Sequence, residues 1–119
     1  MPDHGPAHFK LGLHEAAQNR HQEAINHYQN ALRVNPKASR IHYFLGLSLY
    51  LSKRYQEARI AFELGLTLNP TQPEIHYSLG LTYLKLGEYP KAIQPLKHAF
   101  SLDPSILDES ETTGRTYAR

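Results

Sequence analysis

Apolar residues cluster into short segments along the chain, and the longest of these runs from Ile41 to Leu51. Alternate positions in the second half of this segment are leucine, which would also fit a β-strand. However, Gly12, Gly46 and Gly80 recur at an interval of 34 residues, and a period of this length is typical of stacked pairs of helices. The period therefore favours helix over strand.

Other residues keep the same period. An alanine, a proline and a histidine each recur three times, at Ala24, Ala58 and Ala92, at Pro36, Pro70 and Pro104, and at His8, His42 and His76. A glycine or alanine at a helix crossing lets two helix axes approach closely. Proline disfavours helix in the residue before it, so the second helices should end near Asn35, Asn69 and Asp103.

Six helices are predicted, at residues 7–19, 22–35, 41–52, 56–69, 75–86 and 90–102. The connections within the pairs contain Asn19, Lys53 and Gly87, and Gly87 suits the left-handed conformation that ends many helices. Pro90 suits the first turn of the last helix. Pro95 falls inside that helix and should bend it or remove a backbone hydrogen bond.

Three units can be counted in this register, at residues 5–38, 39–72 and 73–106. Each places leucine and glycine at positions 7 and 8, alanine at 20 and proline at 32, and this pattern resembles the tetratricopeptide repeat (TPR) of two antiparallel helices. The resemblance implies an all-α fold, a right-handed solenoid of three helix-turn-helix units in a single domain over residues 1–119. Glu15 stands where unit three has Tyr83, and His21 stands where units two and three have tyrosine, as expected of an atypical terminal repeat.

Residues 107–119 continue the pattern more weakly. Asp108 followed by Glu111 resembles a helix start, and Gly114 and Tyr117 fall at positions 8 and 11 of a fourth unit. We expect this segment to be either a capping helix or a tail.

Composition narrows the class of protein. The chain has no cysteine, which removes disulfide and thiolate chemistry. Its net charge of +2 forms no basic stripe, so nucleic acid is not an expected partner. His42, Gly46 and Ser48 interrupt the longest apolar segment, so no signal peptide or membrane span is predicted. We expect a cytoplasmic protein.

The candidate binding residues lie on the face of each first helix that repeat packing leaves free. Positions 2, 5, 9 and 12 form one stripe, roughly 140° from the stripe of positions 4, 7, 8 and 11. In TPR proteins the former stripe lines a concave groove that binds partners. Here the predicted groove is apolar, with Arg40, Glu74 and Lys85 at its border. Its residues are Phe9, Leu13, Tyr43, Leu47, Tyr50, Leu51, Tyr77, Leu81 and Leu84.

An apolar ribbon of this size exceeds what a monomer normally exposes, so something should cover it. The favoured occupant is a protein or peptide with an apolar segment, packed as a helix through side chains at i, i+3, i+4 and i+7. The chain would then be an interaction scaffold or adaptor. A segment of the chain itself, or a second copy in a homo-oligomer, would fit the same stripe.

Two specialised TPR functions lack their residues here. TPR co-chaperones hold the C-terminal carboxylates of heat-shock chaperones with a clamp of lysine, asparagine and arginine. The matching positions in this chain are Phe9, Leu13, Phe44, Glu74 and Ser78. The asparagine ladder of the TPR part of O-linked N-acetylglucosamine transferase is also absent from the groove. The resemblance therefore implies an adaptor without naming its client.

No catalytic residue, metal site or cofactor is predicted. The sequence offers no nucleophile with a base, no paired carboxylates in a pocket and no glycine-rich phosphate loop. His8, His42 and His76 recur at position 4, roughly 10 Å apart on neighbouring helices, too far for one zinc ion with bonds of about 2 Å. We expect these histidines to pack and the chain to be no enzyme. The alternative is a docking or regulatory domain of a larger enzyme.

Overall fold

The computed structural model describes residues 5–106, which form six α-helices. They are α1 (Gly5–Ala17), α2 (His21–Val34), α3 (Ser39–Leu51), α4 (Tyr55–Leu68), α5 (Pro73–Lys85) and α6 (Tyr89–Leu102). No strand occurs in this range, so the choice of helix for Ile41 to Leu51 is confirmed. The predicted capping helix or tail, residues 107–119, lies outside the described residues.

The helices begin one or two residues earlier than the sequence predicts. The sequence predicts that α1 begins after Pro6 and α5 after Pro73, and both predictions are wrong. Proline is accepted in a first turn because the amide hydrogen that it lacks would have no intrahelical acceptor there. The predicted ends are confirmed for the second helices, which stop just before Asn35, Asn69 and Asp103. Helix α6 continues past Pro95.

Successive helices pack against each other along the chain. The most extensive contacts join α1 to α2, α3 to α4 and α5 to α6, and further contacts join α2 to α3 and α4 to α5. In addition, α1 contacts α3, and α3 contacts α5. The first helices of the three units therefore lie side by side and present one common face.

Glycine at position 8 of each unit lies at a helix crossing. Gly12, Gly46 and Gly80 face the side chains of Tyr28, Phe62 and Leu96 on the second helix of the same unit. A Cβ atom added at Gly12 would lie 2.5 Å from Cε1 of Tyr28, too close for van der Waals contact. The alanines at position 20, Ala24, Ala58 and Ala92, are buried. The predicted packing role of the glycines at position 8 and of the alanines at position 20 is confirmed.

The core lies between neighbouring units. Tyr28, Phe62, Ile25 and Ile75 are among its fully buried side chains, and the cluster includes residues from α2, α3, α4 and α5. Each unit thus buries apolar surface both between its own two helices and against its neighbours, as expected of a solenoid.

One left-handed residue joins the two helices of each unit. Asn19, Lys53 and Gly87 have φ angles of 63°, 65° and 76°, so the left-handed conformation predicted for Gly87 is confirmed. The next residue closes the turn in the same way each time. The amides of Arg20, Arg54 and Glu88 donate 2.9 Å hydrogen bonds to the carbonyls of Glu15, Leu49 and Tyr83.

Candidate functional site

The predicted groove residues all lie on first helices. Helix α1 carries Phe9 and Leu13, and the other members lie on α3 and α5. Seven of the nine are half-buried, whereas Leu51 is 60% exposed and Leu84 is 39% exposed. Since α1, α3 and α5 are neighbours, these side chains belong to one apolar surface, which we call the groove face.

Two aromatic residues of the groove face also belong to the interior. The ring of Phe44 lies 5.7 Å from that of Phe9 and 5.2 Å from that of Tyr43, measured between centroids. Phe9 further contacts Tyr28, at 6.1 Å, and Tyr43 contacts Phe62, at 6.3 Å. These spacings are typical of favourable aromatic pairs. Phe9 and Tyr43 therefore pack against interior rings and are only partly exposed.

Charged groups border the groove face where α3 and α5 begin. A pocket of about 280 Å³ is lined by Tyr43 and Phe44 together with Arg40 and Glu74, the two border residues predicted at position 2. The guanidinium of Arg40 lies 5.6 Å from the centroid of the Phe44 ring, a distance suited to a cation–π contact. A positive and a negative side chain thus flank the aromatic surface.

A second, smaller pocket joins α3 to α5 further along the groove face. Its volume is about 40 Å³, and it is lined by Leu47, Tyr50, Ser78 and Leu81. Ser78 is buried, and its carbonyl accepts a 2.7 Å hydrogen bond from the Thr82 hydroxyl. The pocket has the size of a single small apolar group and brings together three of the predicted residues.

The tyrosines of the groove face are partly withdrawn from water. Burial raises the pKa of Tyr43, the nearby Glu74 carboxylate raises it further, and a hydrogen bond with Ser78 acts in the opposite direction. Burial also raises the pKa of Tyr50, with smaller contributions from Tyr55 and Tyr77. Both phenols are therefore neutral at physiological pH.

Family comparison agrees with the geometry. A tetratricopeptide repeat model matches residues 9–73, and a second one matches residues 73–106. The chain belongs to the tetratricopeptide repeat family. Its described helices form an all-α TPR solenoid, and membership of this family supports a protein-interaction scaffold.

Solved TPR structures share this fold. The crystal structure of MamA superposes with a TM-score of 0.86 at 24% identity, covering 98% of this chain and 68% of that one. A MamA AMB-1 structure gives 0.81 at 25% identity, covering 87% and 56%. The second TPR of Spaghetti (RPAP3), bound to the HSP90 peptide SRMEEVD, gives 0.81 at 14% identity, covering 83% and 92%. This chain thus spans little more than half of the MamA AMB-1 chain.

No curated protein matches this sequence. Within residues 5–106, no helix is both long and apolar enough to cross a lipid bilayer.

The histidine column of the TPR units has a role that sequence reasoning missed. Nε2 of His42 lies 3.0 Å from the carbonyl oxygen of Pro36, and Nε2 of His76 lies 2.8 Å from that of Pro70. A carbonyl oxygen only accepts, so each Nε2 carries the proton and donates it. Each bond joins position 4 of one unit to position 32 of the unit before. Histidine and proline both recur at the 34-residue period, and this shared period could have predicted the hydrogen bond.

In the described part of the chain, no group of three or more metal-ligating side chains converges. His8 instead contacts His27, with 3.4 Å between their Nδ1 atoms. Ser78 is a further pocket residue that the predicted groove did not include.

Proposed function

We propose that this TPR solenoid is an interaction scaffold whose groove face binds an apolar protein segment. One observation carries the proposal: Leu47, Tyr50 and Leu81 converge on one small pocket between α3 and α5. An apolar side chain of a partner would fill this pocket, and the removal of apolar surface from water would drive binding.

An amphipathic helix is the partner conformation that the surface favours. Its apolar side chains would contact the half-buried residues of α1, α3 and α5, as in other helix-in-groove complexes. Arg40 and Glu74 at the rim would orient it through residues of opposite charge. Because most of the contact is apolar, affinity should depend only weakly on ionic strength.

An acidic C-terminal peptide is a poor candidate for this groove. The HSP90 peptide bound by the second TPR of Spaghetti, SRMEEVD, has three acidic residues among its last four. The clamp positions of this chain hold three apolar or aromatic residues, a serine and the carboxylate of Glu74, with no cation among them. The peptide SRMEEVD therefore serves as a negative control, expected to bind far more weakly than an apolar helix.

The experiment is selection of peptides from a displayed library on the wild-type chain, followed by affinity measurement on variants. Selected peptides should carry apolar residues with helical spacing. Leu81→Glu should weaken their binding about tenfold or more, because it places a carboxylate in the pocket. Leu81 is a cleaner site than Leu47, which also packs against the buried core.

Ile60→Glu is the matched control. Ile60 is an isoleucine on α4, 49% exposed and outside the groove face. Its substitution should leave both helicity and peptide affinity unchanged. The proposal fails if Leu81→Glu remains folded and binds the selected peptides as tightly as the wild type, or if SRMEEVD binds more tightly than they do.

Absence of catalysis and a cytoplasmic location are also part of this proposal. Absence of catalysis rests on the lack of a catalytic constellation in the sequence and on the family's general role in protein interaction, and the location rests on the expectation drawn from the sequence.

A further inference from the structure

The first helix of the solenoid exposes a side chain that the later units bury. Leu11, Leu45 and Leu79 occupy position 7 of the three units, and they are 46%, 8% and 5% exposed. Leu45 and Leu79 lie on helices that pack against the second helix of the preceding unit. Within residues 5–106 no second helix packs against α1 in this way, so Leu11 lies on an uncovered half of a repeat junction.

The last described helix exposes the other half. Ile25 and Ile93 occupy position 21 of the first and third units, yet Ile25 is 1% exposed and Ile93 is 50% exposed. Ile25 lies in the core cluster with Leu45 and Leu49 of α3, the helix that follows it. No equivalent helix among the described residues covers α6.

We propose that copies of this chain stack head to tail, with α1 of one copy packed on α6 of another. The contact would continue the junction that α2 makes with α3 and α4 makes with α5. It uses the two ends of the solenoid and is therefore independent of the groove face and its proposed partner.

Charge complementarity between α1 and α6 supports this alignment of the two copies. At the junction of α4 with α5, the Tyr83 hydroxyl at position 11 donates a 3.3 Å hydrogen bond to the Glu63 carboxylate at position 25 of the preceding unit. At the two ends of the described solenoid, position 11 is Glu15, which also pairs with Arg20 of its own unit at 3.4 Å, and position 25 of unit three is Lys97. Stacking would bring these opposite charges together as an ion pair.

The hydrogen bond between histidine at position 4 and proline at position 32 could also form between two copies. His42 and His76 each donate to the carbonyl of the proline that ends the preceding unit. Two residues at these repeat positions remain, namely His8 in the first unit and Pro104 in the third. In a head-to-tail stack, His8 of one copy would donate to the Pro104 carbonyl of the other and complete the series.

A second copy suits α6 better than the chain's own last residues do. Residues 107–119 place Ser110 and Thr113 at repeat positions 4 and 7, where the first unit has His8 and Leu11. A segment with these residues would bury less apolar surface. Covering α6 with it would also leave Leu11 of the same chain exposed.

This interface is heterologous, so assembly has no built-in stopping point. Sedimentation velocity of the full chain over a concentration series should show a mass that rises beyond that of a dimer. A monomer at every concentration, or growth that ends at a dimer, would overturn the proposal.

Two blocked variants test the geometry. Leu11→Glu blocks the head and Ile93→Glu blocks the tail, and both sites are about half exposed, so both variants should fold. Each variant alone should be monomeric, and an equimolar mixture should form a 1:1 dimer and nothing larger. Leu81→Glu and Ile60→Glu should assemble like the wild type. Self-association of either blocked variant alone, or failure of the folded pair to form the mixed dimer, would contradict head-to-tail stacking.

Charge reversal tests the register itself. Glu15→Lys and Lys97→Glu should each weaken assembly several-fold, since each places like charges at the junction. The double variant should recover most of the wild-type affinity. Lack of recovery in a folded double variant would show that the two side chains do not meet.

Discussion

At the scale of single residues, Gly46 stands at a crossing that has no room for a methyl group. The ring of Phe62 lies against it and is fully buried, so the ring cannot swing into solvent. Alanine would be the better helix former by about 1 kcal/mol, whereas overpacking a core destabilises by about 1–3 kcal/mol. Steric overlap should therefore outweigh helix propensity.

Gly46→Ala is expected to lower the free energy of unfolding by about 1–2 kcal/mol, measured by urea denaturation. Ser101→Ala, at an exposed site in α6, is the control and should change stability by less than about 0.5 kcal/mol. A gain in stability from Gly46→Ala would mean that helix propensity prevails at this crossing.

Ala58→Leu should destabilise by about 1–3 kcal/mol, because Ala58 is 0% exposed and extra methyl groups would force the helices apart. A thermal scan followed by circular dichroism measures the effect. An unchanged midpoint would be inconsistent with the assigned repeat register.

At the scale of elements, the three connections solve one geometric problem with three different residues. Asn19, Lys53 and Gly87 share the left-handed backbone, which costs a residue with a Cβ atom about 1 kcal/mol. Glycine avoids this cost and asparagine tolerates it, while lysine gains nothing from its side chain there. The second unit therefore contains a strained connection.

Lys53→Gly should raise the free energy of unfolding by about 0.5–1 kcal/mol. The reciprocal change, Gly87→Ala, should lower it by about 1 kcal/mol, although no atom lies within contact distance of the new methyl group. Urea denaturation of both variants distinguishes backbone strain from packing. Loss of stability in Lys53→Gly would show that flexibility of the unfolded chain outweighs strain.

The repeat period made most of the fold predictable, because each unit contains the residues that form its own helices and crossings. The period does not fix helix starts, where a first-turn proline such as Pro73 reads as a boundary. Nor did it reveal the bond from His76 to Pro70, which depends on where the preceding unit places its backbone. For the site, the sequence indicated which residues form the apolar stripe. It did not indicate how far these residues are buried, because Phe9 and Tyr43 also pack against rings from other helices.

At the scale of the whole molecule, buried phenols make stability sensitive to alkali. Burial raises the pKa of Tyr28 to about 12, and it also raises those of Tyr43, Tyr50 and Tyr83. Between about pH 10 and 12 the unfolded chain loses phenolic protons that the folded chain still holds. The stabilisation is complete below pH 10 and is lost as the pH rises through this range.

Tyr28→Phe should reduce the loss of stability between pH 10 and 12 by up to about 3 kcal/mol, the equivalent of two pKa units. Thermal midpoints across this range measure the difference between variant and wild type. Tyr89→Phe, at a 64% exposed site, is the matched control and should follow the wild-type curve. Equal alkaline sensitivity of all three proteins would contradict a buried Tyr28 phenol.

The hydrogen bonds from His42 to Pro36 and from His76 to Pro70 determine an order of opening. Unit two contains His42 as a donor and Pro70 as an acceptor, so it takes part in both bonds, whereas each outer unit takes part in one. Coupling between nearest neighbours alone makes the two ends the weakest links. In the monomer, amide hydrogens should therefore exchange earliest in α1 and α6 and latest in α3 and α4. The solenoid would then come apart from both ends towards its middle.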